Sequence, residues 1–112
     1  SSVLRHNIEI VPRVLVDNRA SSNYTVVEIN ALDRRGLLYD ISRSLTDLGM
    51  AIKSAHISTF GIQAVDVFYI KDCFGMQINK KADVKRLRST IYNVLVESNS
   101  ITDLKDNLNA AE

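Results

Sequence analysis

The feature that most constrains this chain is a change of hydrophobic period at Asp33-Arg34-Arg35-Gly36. Before it, Thr25 to Ala31 alternates, with Val27, Ile29 and Ala31 on one face and Val26, Glu28 and Asn30 on the other, which is the period of a strand. After it, Leu38, Ile41, Leu45 and Leu48 recur at the spacing of one helix face, on a helix expected from Gly36 to Leu48. A strand that turns straight into a helix gathers the unbonded N–H groups of the new helix at one point. With the positive end of the helix dipole, they favour a carboxylate or other anion there. Gly36 lets a ligand or a second chain come close to the backbone. The plainer alternative is a helix start alone, with Asp33 near the N-cap and Gly36 serving tight packing.

The rest of the chain builds around this turn. Pro12 precedes a short strand, Val14 to Asp17, and Asn18 to Asn23 is a turn cluster, so the first two strands form an antiparallel pair. Gly49 is a stop signal for the first helix. A third strand, Ala51 to Phe60, places Ile52, Ser54, His56 and Ser58 on one face and Lys53, Ala55, Ile57 and Thr59 on the other. Gly61 joins it to a fourth strand, Gln63 to Lys71, as a hairpin. That fourth strand is apolar on both faces, so a second cover is expected over part of the sheet, from another domain or a copy of this one. Asp72 to Gly75 is a turn, and a second helix runs from about Ala82 to about Val96 with Val84, Leu87, Ile91, Val94 and Leu95 inward. The order ββαββα implies an α+β sandwich: a four-stranded antiparallel sheet with two helices on one face, of the ferredoxin-like kind. Here the N-terminal strand takes the edge that the usual last strand fills. Residues 1–11 read as an arm or linker, 12–97 as the domain, and 98–112 as a tail, a short helix or the start of a linker.

Composition removes several classes of function. A length of 112 residues suits one domain, and 46% hydrophobic content suffices for a core. The net charge of +1 gives no electrostatic reason to expect nucleic acid or an anionic membrane as partner. No apolar run is long enough to span a bilayer, and Ser1 to Glu9 lacks the apolar segment of a signal peptide. The single cysteine, Cys73, fits a cytoplasmic protein and is expected to be a partly buried turn thiol. A start without Met and an Asn/Ala-rich end suggest a piece of a longer chain.

No sequence motif supports catalysis. His6 and His56 lack metal-ligand spacing, and His56 reads as structural or as a donor to a ligand. Asp66, inside an apolar strand, is costly unless paired and reads as structural. Lys80, Lys81, Lys85, Arg86 and Arg88 are interrupted by Asp83 and read as a solvated helix face. An acylphosphatase-like enzyme would use an arginine after the first core strand, where Arg34 and Arg35 stand, but that family's glycine-rich signature is missing. An RNA-recognition domain would want the basic and glycine context that Phe68 and Tyr69 lack.

The residues do match a family. Asp33-Arg34-Arg35-Gly36-Leu37-Leu38-Tyr39-Asp40 resembles the Asp-Arg-Pro-Gly-Leu-Leu-Tyr-Asp turn of ACT domains. Pro12 to Asn18, Ser54 to Gly61 and Ala64 to Ile70 extend the likeness. Together they resemble the C-terminal ACT domain of the bifunctional uridylyltransferase/uridylyl-removing enzymes that modify the PII nitrogen-signalling protein. The resemblance implies that two C-terminal ACT domains sense glutamine, while catalytic domains elsewhere in the parent use Mg2+ and UTP. It implies no cofactor in this domain, a second ACT domain or homodimer partner, and contact with PII only through the parent. The alternative it leaves is an ACT interaction module of another enzyme with no ligand of its own.

Carried over by position, the ligand turn comprises Leu32, Asp33, Arg34, Arg35, Gly36, Leu37 and Leu38, with Asn30 just before it and Ser54, Ala55, His56 and Ile57 from the adjoining strand. The N–H groups of Gly36 to Leu38 would hold the carboxylate, Asp33 or Asn30 would meet the amino group, and Ser54 or His56 would serve a side-chain amide. Arg35 stands where the family usually has proline, which is expected to preset the first helical turn.

Overall fold

The computed structural model describes residues 10–110, with side chains described as far as Glu97. The expected arm lies almost wholly outside the described residues, as does His6. The elements run β1 (Arg13–Asp17), β2 (Thr25–Leu32), α1 (Leu37–Asp47), β3 (Ala51–Phe60), β4 (Gln63–Lys71) and α2 (Lys81–Ala110). The strands form one sheet in the order β1-β2-β4-β3, antiparallel throughout. β1 lies against β2 as an edge strand, so an N-terminal strand does occupy the place of the usual last one. The fold is the expected α+β sandwich of a four-stranded antiparallel sheet and two helices.

Register decides which side chains meet the helices. Val14 and Val16 pair with Ile29 and Val27, and Val27, Ile29 and Ala31 pair with Phe68, Asp66 and Ala64. These positions face α1 and α2, and with Ile41, Leu45, Leu87, Ile91 and Leu95 they form the core. On β3 the alternation breaks. Ile52 pairs with Ile70 but Ser54 pairs with Tyr69, so Lys53 is an extra residue in a β-bulge. Ile52 therefore shares the helix side with Ala55, Ile57 and Thr59, not the side of Ser54, His56 and Ser58 assigned to it by plain alternation.

The first helix also differs by one position. Leu37, Ile41 and Leu45 are its buried residues, whereas Leu38 is 45% exposed. The helix begins at Leu37, and a residue there reaches the core by a step of four to Ile41. Its end follows the glycine signal. Gly49, at φ 81°, donates to the Thr46 carbonyl and Met50 to that of Leu45, the paired bonds of a Schellman ending.

Beyond β4, Asp72 Oδ1 accepts the N–H groups of Phe74 and Met76, which closes the turn and leaves Cys73 exposed rather than partly buried. The chain then returns to the core at Ile78. Thr25 Oγ1 donates to Asn18 Oδ1 at 2.6 Å and accepts the Ile78 N–H at 2.8 Å, while Asn18 Nδ2 donates to the Ile78 carbonyl. Gln77 Nε2 donates to the carbonyls of Asn18, Ser21 and Tyr24. α2 continues through Ala110, across the boundary placed at residue 97 from sequence. The other sheet face carries Leu15, Val65, Val67 and Tyr69, and no described element covers it.

Candidate functional site

The turn between β2 and α1 is defined by one glycine. The Leu37 N–H donates to the Arg34 carbonyl at 3.3 Å, and Gly36 has φ 82° and ψ −1°. That is the third position of a type II turn, which needs a positive φ; Arg35 is the second position, where proline is favoured. The proline usual in the resembling family thus presets this turn rather than the first turn of the helix. Asp33 fastens the turn to the β3–β4 hairpin through its N–H on the Ile62 carbonyl, at 2.7 Å. Arg34 reaches across it, with Nη2 on the Asp40 carboxylate and Nη1 2.9 Å from the Arg35 carbonyl.

The helix start itself has no side-chain cap. The first helical bond is from Asp40 N–H to the Gly36 carbonyl, and Leu37 N–H is turned back to Arg34. Among the described residues the N–H groups of Leu38 and Tyr39 therefore meet no acceptor, at the positive end of the dipole. Both residues border a groove of about 510 Å³ between the turn and the hairpin, lined by Asp33, Arg34, Gly36, Leu37, Leu38, Tyr39, Ser42, Ile57, Thr59, Ala64 and Asp66. Its wall is largely apolar, with a few polar groups, which is the usual make-up of a small-molecule site.

Asp66 is the unusual member. It is 2% exposed, and its Oδ1 has no hydrogen-bond partner among the described residues. Burial pushes its carboxyl above the ordinary value of 3.8; the Ser58 backbone N–H opposes the shift and the charge of Asp33 adds to it. The register puts Asp66 between Ile29 and Ile57, on the helix side of the sheet.

The structure thus brings together Asp33, Arg34, Gly36, Leu37, Leu38 and Ile57 of the residues expected from sequence. Arg35 contributes its carbonyl to the Arg34 side chain. Asn30, Leu32, Ser54 and His56 pair with Val65, Gln63, Tyr69 and Val67, on the sheet face away from the groove. Ala55 is on the helix side, opposite Phe68, but outside the groove lining. Sequence reasoning missed Tyr39, Ser42, Thr59 and Ala64 and read Asp66 as structural. The available signal for Asp66 was its place in the strand, between Val65 and Val67 on the opposite face.

Comparison with known proteins identifies the family. The ACR family N-terminal ACT domain matches residues 20–98. The chain belongs to this family of ACT domains. It is 47% identical over 88 residues to the bifunctional uridylyltransferase/uridylyl-removing enzyme of Azospirillum brasilense, covering 79% of this chain and 9% of that protein. It is 48% identical over 84 residues to the enzyme of the same name from Gluconobacter oxydans, covering 75% of this chain and 9% of that one. For Rhodospirillum rubrum the identity is 45% over 94 residues, 84% of this chain and 10% of the relative. The chain spans about a tenth of the length of these relatives. A crystal structure of an unknown protein from Galdieria sulphuraria aligns with 58% of this chain and 36% of its own, at 20% identity and a TM-score of 0.44.

Proposed function

We propose that this chain is a glutamine-sensing regulatory domain at the C-terminal end of a bifunctional uridylyltransferase/uridylyl-removing enzyme. The family match is to an N-terminal ACT domain. The first copy of a tandem pair, placed near the enzyme's C-terminus, satisfies both that match and the identity to the uridylyltransferases. The parent transfers and removes UMP on the PII protein in the cytoplasm, using Mg2+ and UTP in catalytic domains outside this chain. The fragment itself is not catalytic. Its ligand acts by binding one arrangement of the parent more tightly than another, the only means by which binding can shift such an equilibrium.

The observation that carries this reading is the uncapped start of α1 opening onto a groove that also holds carboxylates. An α-amino acid presents the complementary pair of charges. Its carboxylate fits the Leu38 and Tyr39 N–H groups, and the apolar wall of Leu37, Leu38 and Ile57 receives its methylenes. Calorimetric titration of the 112-residue chain with glutamine, glutamate and serine tests the reading. Selective, saturable glutamine binding is expected. A folded chain that binds none of the three refutes it. In the parent, a Gly36→Val substitution is expected to abolish the response of PII uridylylation to glutamine while leaving the activity without glutamine in place.

A further inference from the structure

The groove contains a buried acidic group that the rest of the fold does not engage fully. Asp66 is almost fully buried, yet Oδ1 meets no donor among the described residues. A buried carboxylate oxygen left this way costs more than one in water, and such groups in folded proteins are usually satisfied. Replacing it by an apolar residue would suit the core, because Ile29 and Ile57 flank it on the neighbouring strands. Asp66 nonetheless lines the groove, beside the residues that start α1.

We infer that Asp66 Oδ1 receives the ammonium group of the bound amino acid. The inference rests on the amino-acid-sensing reading and deepens it, by making Asp66 the residue that separates amino acids from other carboxylic acids. The charges around it fit this role. Asp33 from the turn adds a second negative charge. Arg34 is held by Asp40 and the Arg35 carbonyl. From α1, Tyr39 and Ser42 line the groove, while the residues contributed by β3, Ile57 and Thr59, carry no charge, nor does Ala64 of β4. His56 is on the other side of the sheet, opposite Val67. Among the described lining residues Arg34 is the one cation, and Asp40 engages it; an ammonium group brought by the ligand complements Asp66 and Asp33. The N–H groups at the helix start, across the same groove, then take the ligand's carboxylate. One site reads both ends of a zwitterion.

The test compares glutamine with its des-amino analogue, 4-carbamoylbutyrate, on the wild-type chain and on Asp66→Asn. The amide keeps the shape and removes the charge. Wild type is expected to prefer glutamine by roughly 10- to 100-fold, the range of a charge-assisted hydrogen bond. Asp66→Asn is expected to bind the analogue as wild type does and to lose most of that preference. Saturating glutamine is also expected to pull the titration of the Asp66 carboxyl, followed by carbon-13 NMR, to lower pH, because a nearby ammonium favours the ionised form. Glutamine preference retained by Asp66→Asn, with an unmoved Asp66 titration, overturns this assignment and leaves amino-acid sensing standing. Absence of binding to folded wild type overturns both.

Discussion

The type II turn at the head of α1 predicts opposite effects for two adjacent substitutions. Gly36 sits at φ 82°, where an L-residue is penalised by roughly 1–2 kcal/mol. A Cβ added there would approach only Arg34 Nη1, at 3.4 Å, the end of a flexible side chain, so sterics add little to the backbone penalty. Gly36→Ala is therefore expected to destabilise the chain by about 1–2 kcal/mol. Arg35, at the preceding position, makes no backbone N–H hydrogen bond among the described residues. Proline loses no bond there, fits the turn, and restricts the unfolded chain, so Arg35→Pro is expected to stabilise by about 0.4–1 kcal/mol. Urea unfolding of the 112-residue chain measures both, with midpoints shifted in opposite directions and a constant slope. At roughly 4–8 °C per kcal/mol, the same pair separates clearly in thermal melts. Gly36→Ala within the ~0.5 kcal/mol spread of ordinary surface changes refutes the turn assignment. So does an Arg35→Pro variant less stable than wild type.

Three further outcomes follow from the packing and the charge. Ile41→Ala empties the centre of the helix–sheet core, where Ile41 is fully buried, and is expected to lower the unfolding free energy by about 2–5 kcal/mol. Thr25→Val strands the buried Ile78 N–H and the Asn18 amide oxygen; a loss of about 1–3 kcal/mol by chemical denaturation checks that junction. Asp66 has a carboxyl raised by burial, so the folded state holds its proton more tightly than the unfolded state does. Its ionisation costs stability above the folded pKa, and that cost vanishes as pH falls through 3.8. Without ligand, Asp66→Asn is expected to be more stable than wild type at pH 7, with the gap closing toward pH 4; a gap independent of pH excludes this origin.

Much of the fold is legible in the sequence because the strong signals are local. Gly49 and Gly61 mark a helix end and a hairpin; they bracket β3, and the apolar run after Gly61 gives β4. The less visible features depend on partners distant in sequence. Nothing in Ala51-Ile52-Lys53-Ser54 announces a bulge, which exists only in relation to Tyr69 and Ile70 on the next strand. Leu37 and Leu38 are chemically identical, so composition cannot tell which faces the core; the type II turn sets the helix phase and buries Leu37. The same reasoning separates the two halves of the candidate site. Its backbone half, the Asp33–Leu38 turn, could be read from local chemistry. The side-chain half could not, because alternation sorts residues within one strand, and only the register shows that Asp66 of β4 shares the helix face of β2 with Ile29 while Asn30 lies on the other. Once that face is known, Asp66 ceases to be a misplaced charge in an apolar strand. The side chain that is expensive for the core is also the one that lines the groove under an uncapped helix. Core stability alone gives no reason for a carboxylate between Ile29 and Ile57; a cationic ligand group gives one.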